Sequence, residues 1–586
     1  MEYATKERIG NPDLFTGRKE ELAYYLNWIN AIKEEKSQST AILARRKMGK
    51  TALLERLFNI TFDANDGVIP FYFEIKEIDM YVGDFCVEFF LTFIYQYIAF
   101  KTRKTSYLRQ SSRRNLDQAK QVAASEGLDY LVDIIKEVDH AFRQKHVGLL
   151  WEAVRETPKN IAASQNEFVV QMIDEFQFIN AKIYRDKSMK ATSLMKNLAG
   201  GYLSTAESKI APLLVSGSWV GWLMSELNAM LPARFVYNYC ENMPEDEAAE
   251  MVFKYSEFFN VPVTEEIAYL IVNISEGSPF YISSILRSEY REKNLTTVQG
   301  LTETLEFETL NNRGRIKSTW MEYVAFAFDR VNQRNAKNIV LYLCQNRDRQ
   351  LTRKELLEDL TLDMSDYDLE KKLKALVRAD IINQGKTNYD YQGVQDNIFD
   401  KVFRGVYEKE IRDFDVSTIT KEYHDGFEKL KAQYHQLLGK INYQKGYYAE
   451  YLILTLLLSR AHKINDLLKS VTRYLPPDFN FCEYTRAWRY DAAIEFGKTF
   501  NIDIYARPKS TDDYAIIGEV KNREIKKFSK EEVISFMQKY AELKKAEKLE
   551  RVIPFIFSHR GFTKEAEDYC QAMGIAISES EQWIGG

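Results

Sequence analysis

"AILARRKMGKTALL", residues Ala41 to Leu54, comes within one residue of spelling a phosphate-binding loop. It keeps Gly49, Lys50 and Thr51 but has Ala44 where the pattern begins with glycine. The alternative is a basic helix start that happens to contain Gly-Lys-Thr. The flanks separate the two. Before the loop, "STAILA" is a short, apolar, β-prone run; after it, "KTALLERLFNI" spaces Leu53, Leu54 and Leu57 for one helix face. Strand, loop and helix are the context a phosphate cradle requires. The backbone N–H groups from Ala44 through Arg45, Arg46, Lys47 and Met48 to Gly49 would wrap the phosphates at the helix N-terminus. Lys50 would reach the β and γ oxygens, and the Thr51 hydroxyl would hold Mg2+. Gly49 must stay small where the backbone closes on the nucleotide, whereas Ala44 adds one methyl at the loop entrance.

A working site also needs an acidic strand, because magnesium wants a further anchor and the attacking water a positioned base. "EFVVQMIDEFQFIN" offers a buried-type strand, Phe168 to Ile173, ending in Asp174 and Glu175. Asp174 is the candidate for the magnesium shell and Glu175 for polarising the water. The plainer reading is that both acids cap the next helix.

With these pieces the N-terminal part resembles the archaeal-type ATPases of the AAA+/STAND group over roughly residues 10 to 410. "LFTGRKEEL" (Leu14 to Leu22) is similar to that family's opening signature, and Arg45 and Arg46 stand where it often writes arginines before its GKT. "PLLVSGSWVG" resembles its sensor strand, with Ser216 and Ser218 near the γ-phosphate. "ARFVYNYCENMPEDEA" resembles its arginine-containing strand, and "EGSPFYISSIL" its lid signature around Gly277 and Pro279. The resemblance implies an ASCE-type parallel sheet with a helical lid, ATP and Mg2+ as cofactors, and Arg234 as a nucleotide contact. Arg234 would act within its own chain or, in a homo-oligomer, across a subunit boundary. A surface arginine before a strand is the competing reading.

Beyond the lid, three short amphipathic helices and the turn "IINQGKTNYDYQ" read as a winged helix-turn-helix. Asp366, Asp368 and Glu370 offset Lys371, Lys372, Lys374 and Arg378 on the third helix. That mixture favours protein contact or a regulatory clamp over reading a DNA groove. A charged helical connector follows; its His424 and His435 have no metal-ligand spacing and read as surface residues.

The last part raises a second chemical question. "NIDIYARPKSTDDYAIIGEVKNRE" gives a strand with Asp503, a polar turn, and a strand with Glu519 and Lys521. Alternation puts Glu519 and Lys521 on one face, and Asp503 can lie beside them across the hairpin. Two carboxylates and an ammonium in a partly dry spot are costly unless each has a partner. A divalent cation held by Asp503 and Glu519 would remove the conflict, with Lys521 orienting water or stabilising charge on phosphate. The spacing, Asp503 then fifteen residues then Glu519-Val520-Lys521, resembles the PD-(D/E)xK nuclease superfamily. Glu450 in "GYYAE" matches that family's first-helix glutamate, a further metal ligand. Gln538 and Tyr540 in "SFMQKY" resemble an accessory motif, and His559 is a loop histidine that could assist. The resemblance implies a restriction-endonuclease-like α/β domain that uses Mg2+ or Mn2+, with DNA as partner.

Composition sets the outer limits. At 586 residues about three or four domains are expected. The reading divides the chain into a P-loop ATPase core over 1–240, a helical lid over 241–330, a winged helix over 331–410, a connector over 411–445 and the nuclease-like part over 446–586. A net charge of −5 argues against a uniformly basic coat, so nucleic-acid contact would come from local patches. Lys101 to Lys120, with seven basic residues and one acid, is one such patch or a solvated helix. The five cysteines stand singly, without metal or disulfide spacing. The N-terminus does not read as a signal peptide, and the most apolar run, Tyr451 to Leu458, falls short of the roughly 20 residues of a crossing helix. A multidomain, cytoplasmic α/β protein without membrane contact is expected. Its expected function is ATP hydrolysis coupled to metal-dependent DNA cleavage, in mobile-element or anti-phage defence. The alternative is a nucleotide-switched regulator or scaffold whose C-terminal domain binds nucleic acid without cutting it.

Overall fold

The computed structural model describes residues 3–109, 115–331, 335–387, 389–411, 417–491 and 500–585. Residues 110–114 of the basic Lys101–Lys120 stretch, and 412–416 of the connector, lie outside these. The chain forms two compact units, residues 1–429 and 430–586.

The first unit is built on five strands, β1 (Thr40–Leu43), β2 (Val68–Glu74), β3 (Phe168–Asp174), β4 (Leu213–Gly217) and β5 (Val236–Tyr239). They pair in the order β2-β3-β4-β1-β5, every pair parallel. A parallel sheet must be covered on both faces, which is why β1, β3 and β4 are largely apolar rather than alternating. Helix α1 (Lys50–Ala64) follows β1 directly and α2 (Val82–Thr102) follows β2. Among the described residues α2 is long and apolar enough to cross a membrane, although most of it is buried inside the protein. Phe85 and Phe89 pack edge-on against Phe73, and Phe89 and Phe93 against Phe71. The expectation that no apolar segment reaches the length of a crossing helix, drawn from the short run Tyr451–Leu458, is corrected by this longer helix. Asp84, Glu88, Gln96 and Lys101 interrupt α2 in sequence, while its helical faces are buried by the sheet and its neighbours.

Helix α3 (Val220–Met230) leaves β4, and three helices follow β5: α4 (Glu245–Phe258), α5 (Glu265–Ser275) and α6 (Pro279–Leu286). Pro at the first position of α6 suits a helix start, because its missing N–H would have had no partner there. Gly277, between α5 and α6, has φ +73, and a Cβ there would lie 2.2 Å from the carbonyl oxygen of Met243. Gly277→Ala therefore forces strain and overlap together and should destabilise this unit by about 2 kcal/mol or more. Differential scanning fluorimetry should show its melting midpoint several degrees lower.

After two longer helices, α7 (Val298–Leu310) and α8 (Arg315–Val331), come α9 (Ala336–Gln345), β6 (Leu351–Thr352), α10 (Arg353–Asp359), α11 (Asp366–Arg378), β7 (Ile382–Gln384) and β8 (Asp390–Gly393). The strands form a small antiparallel sheet, β6-β8-β7. Thr352 and Glu355 make a reciprocal capping box at the start of α10. Part of the mixed charge of α11 pairs within the module: Glu370 pairs with Lys374 at 2.6 Å and with Arg353 at 2.5 Å. Helices α12 (Asn397–Ile411) and α13 (Ser417–Ser459) follow.

The second unit holds a mixed sheet, β9 (Tyr484–Asp491), β10 (Asn501–Pro508), β11 (Ala515–Lys521), β12 (Val552–Ser558) and β13 (Ala576–Ser578), in sequential order. The pairs β9/β10 and β10/β11 are antiparallel; β11/β12 and β12/β13 are parallel. Alternating side chains feed two cores. Ile504, Ile516 and Phe555 pack with Ala449, Ile453 and Leu457 of α13. Tyr505, Ile517 and Ile556 pack with α14 (Lys530–Ala546) and α15 (Lys564–Met573) through Phe536, Leu543, Ala566 and Cys570.

Candidate functional sites

The loop between β1 and α1 lies where a parallel sheet presents its strand ends, beside β4 and near β3. Lys47 (φ +68) and Gly49 (φ +86) turn the chain so that Gly49 caps α1. At Gly49 the positive φ favours glycine and crowding does not: an added methyl would come no closer than 4.0 Å to its nearest neighbour, Pro279. Lys50 is buried and folds back over the loop, its Nζ donating to the carbonyls of Ala44 (2.8 Å) and Arg45 (2.7 Å). Burial lowers its pKa, against the pull of Glu175 and Asp174.

Asp174 ends β3, fully buried. Its Oδ2 accepts from Thr51 Oγ1 at 2.6 Å, and its Oδ1 accepts from Ser216 Oγ and from the Glu175 N–H. Ser216 comes from β4, so the strand order brings two hydroxyls to one carboxylate. Glu175 has φ +55 and precedes a short 3-10 helix without capping it by its side chain, so the plainer capping role does not apply to it. Its carboxylate accepts from Ser218 and Gln177. Burial first, then the Asp174 charge, raises its pKa. A threonine hydroxyl facing a buried aspartate is an all-oxygen donor set that suits Mg2+, so the residues fit that ion.

A cavity of about 450 Å³ opens over this loop. Its lining includes charged or polar residues, among them Lys50, Thr51, Glu175, Ser218 and Arg287, and apolar ones, among them Leu14, Phe15, Met243, Met251, Tyr255 and Pro279. Arg46, Lys47 and Met48 also line it; Ala44, Arg45 and Arg234 do not. Arg234 instead pairs with Glu207 at 3.0 Å and donates to the carbonyl of Pro232.

Three functional candidates escaped the sequence reading. Arg18 is buried, in a left-handed conformation, and holds the carbonyl of Met48 at 3.0 Å. Glu247 on α4 accepts from the N–H groups of Arg18 and Lys19 and so ties that segment to α4. Asp380, just after α11, accepts from the Val220 N–H at 2.8 Å, while neighbouring Asn383 accepts from Arg45 at 2.8 Å. The module at 336–393 is thereby latched to the Ser218–Val220 turn and to the phosphate loop.

Burial pushes the Asp380 carboxyl up to about 6, opposed by Arg45, the Val220 and Gly221 N–H groups and Lys50. A folded pKa above the unfolded value of about 3.9 means that the proton favours the fold. The contribution is present below about pH 4 and is lost as pH rises through 6. Asp380→Asn keeps the acceptor without the charge. Its melting midpoint relative to wild type should rise between pH 5 and 7.5, equivalent to roughly 1–2 kcal/mol.

In the second unit β10 and β11 bring Asp503, Glu519 and Lys521 together. Lys521 Nζ lies 2.6 Å from Glu519 and 3.3 Å from Asp503, whose Oδ2 also accepts from the Val520 N–H. Burial opposes the charge on Lys521, and the two carboxylates outweigh it, so its pKa is raised. Glu519 is raised by burial and then by Asp503. Glu450, on α13, pairs with Arg489 at 3.4 Å and is pushed up to about 7 by burial and by Asp503.

Among the described residues no group of three acidic, histidine or cysteine side chains stands ready as a closed metal cage. Even so, Glu519 Oε2 is buried without a hydrogen-bond partner, and three carboxylates raise one another's cost. That orphan oxygen and surplus negative charge fit a divalent cation. Lys539, 4.0 Å from Glu519, was missed in favour of its neighbours. Gln538 is exposed, and Tyr540 donates to the carbonyl of Val552 in the core. His559 meets Lys521 through the backbone, its N–H donating to the Lys521 carbonyl.

No family model matches this chain, and comparison with curated proteins gives no match. Among solved structures it is similar to a Walker-type ATPase of Pyrococcus abyssi, at 14% identity and TM-score 0.46 over 68% of this chain and 98% of that one. The ORC2 protein of Aeropyrum pernix gives 12% and 0.36 over 69% and 99%. The RuvB Holliday junction branch migration motor of Thermotoga maritima gives 11% and 0.30 over 70% and 99%. At these scores the assignment rests on the chain's own strand order and loop, which make its first unit a parallel-sheet, P-loop NTPase-like fold with helices.

Proposed function

We propose that the first unit binds and hydrolyses ATP and that this cycle controls metal-dependent cleavage of DNA by the second, a winged-helix ATPase joined to a restriction-endonuclease-like domain. The observation that carries the reading is the convergence of Lys50, Thr51, Asp174 and Glu175, from two strand ends, beneath one cavity. The apolar lining takes the base, and the loop N–H groups take the phosphates. Lys50 leaves its loop carbonyls for the β and γ oxygens. Thr51 and Asp174 would hold Mg2+, which would offset charge on the phosphates, and Glu175, oriented by Ser218 and Gln177, draws a proton from the attacking water. Arg234 lies outside the cavity of its own chain, so a role for it requires a homo-oligomer.

In the second unit Asp503, Glu519 and Glu450 would hold Mg2+ or Mn2+. The bound ion would supply a more acidic water and a Lewis acid at phosphate. Lys521 and Lys539 place positive charge where the phosphate gains negative charge. A cytoplasmic role in mobile-element or anti-phage defence is an analogy of architecture. A second reading, a nucleotide-switched regulator whose C-terminal domain binds without cutting, draws on the latch from Asp380 and Asn383 to the phosphate loop. Cleavage of plasmid and single-stranded DNA with Mg2+ or Mn2+, with and without ATP, separates the two. Cutting by wild type and not by Asp503→Ala supports the nuclease; ATP turnover without cutting favours the switch.

A further inference from the structure

Within the second unit α13 carries an unusual surface. Tyr443, Tyr447, Tyr448 and Tyr451 are 70%, 56%, 62% and 58% exposed, well beyond what an aromatic side chain keeps when the fold has a use for it in the core. Tyr443, Tyr447 and Tyr451 recur every four residues and so form one stripe along the helix. The rings of Tyr443 and Tyr447 lie within 24° of parallel, and those of Tyr448 and Tyr451 within 21°. Glu450, three residues from Tyr447, sits between this stripe and the buried face that carries Ala449, Ile453 and Leu457. The stripe therefore borders the carboxylate cluster of Asp503, Glu519 and Glu450.

Two cations border the stripe, each paired with a carboxylate, Arg489 with Glu450 and Lys445 with Glu524. The Arg489 guanidinium stands 5.9 Å over the Tyr447 ring and pairs with Glu450. Lys445 lies in the stripe's first turn, half exposed, and Asn522, next to Lys521, donates to the Lys445 carbonyl. From Ile441 to Ser459 the helix has Lys445 and Glu450 as its only charged residues. Flat, exposed π faces edged by cations complement unpaired bases on a phosphate backbone. Bases stack on aromatic side chains whatever their identity, while cations track the phosphates. Paired bases hide those faces inside the duplex.

We propose that the tyrosine stripe is a stacking platform that seats single-stranded nucleic acid beside the carboxylate cluster. The placement rests on the nuclease reading of that cluster; the binding does not. Two sources share this chemistry, single-stranded DNA and single-stranded RNA. The competing occupant is a second copy of the chain, because Leu437 and Ile441 continue exposed apolar surface upstream on the same helix.

The test uses the full chain with EDTA present, so that binding is read without cleavage. Fluorescence anisotropy compares labelled oligo-dT, oligo-U and a blunt DNA duplex of equal length. The triple variant Tyr443→Ala, Tyr447→Ala, Tyr451→Ala should bind the single strands about fivefold to a hundredfold more weakly, whereas the matching triple phenylalanine variant should bind as wild type does. The dT and U arms say which sugar is preferred. The substituted side chains are exposed, and an unchanged circular dichroism melt establishes that the variants fold. The proposal is overturned if the triple alanine variant binds like wild type, or if wild type binds neither single strand. It is also overturned if sedimentation shows a wild-type dimer that the alanine variant dissolves. Absence of cleavage when metal is restored, with the tyrosine-dependent binding intact, would sink the nuclease reading and leave the platform standing.

Discussion

Lys50→Ala should abolish ATP turnover, with phosphate release falling at least about a hundredfold. The expectation has two physical parts. The ammonium is the charge that follows the phosphates, and in a buried setting a removed cation leaves negative charge uncompensated. It also staples the loop, bridging the carbonyls of Ala44 and Arg45, so its loss frees the cradle even before a nucleotide arrives. Binding of a fluorescent ATP analogue should weaken in the same variant. Glu175→Gln gives the contrasting result, retained binding with turnover lost, because the amide keeps its place against Ser218 but cannot take a proton from water. Loss of binding in both variants would mean that Glu175 shapes the cavity rather than serving as the base. Unchanged turnover in Lys50→Ala would remove the loop from the reaction altogether.

Glu519→Gln should produce two opposite effects, which makes it the more searching experiment for the second unit. Metal-dependent cleavage should fall by about a hundredfold to a thousandfold, the scale of losing a group that fixes transition-state charge. The metal-free protein should at the same time become more stable. Burial and the Asp503 charge raise the Glu519 pKa in the folded state, so near neutral pH its ionised form opposes folding. The gain should therefore be present at pH 8 and fade as pH falls through the raised pKa, measured as the melting midpoint of wild type and variant in EDTA. Mg2+ should raise the midpoint of wild type and leave that of Glu519→Gln nearly unchanged. A variant less stable than wild type in EDTA would show that the Lys521 pair already satisfies Glu519, and the case for a cation there would fall.

Short contiguous segments were legible without the fold. The loop at 44–51 depends on the chain's own turn and on the helix start it feeds, both written within a dozen residues. The Asp503 and Glu519-Val520-Lys521 hairpin depends on strand alternation, which places side chains by parity alone. Where contact depended on distant segments, the sequence was silent or misleading. Val82–Thr102 was passed over, because its isolated polar residues break the apolar run and one-dimensional hydropathy does not record that a sheet and further helices cover it. In "SFMQKY" the motif reading pointed to Gln538 and Tyr540, while α14 brings Lys539 within 4.0 Å of Glu519.

The sequence alone thus determined the chemistry each site has to hand: a lysine, a hydroxyl and an acidic pair in one unit, and two strand carboxylates with a lysine in the other. These are matters of residue type and local spacing. Only the tertiary structure decided which of them meet. The strand order sets Ser216 against Asp174, packing sets Asp380 against Val220 and Asn383 against Arg45, and Arg234 faces Glu207 outside the cavity. Such encounters follow from how apolar faces are buried across hundreds of residues, and no local pattern encodes them.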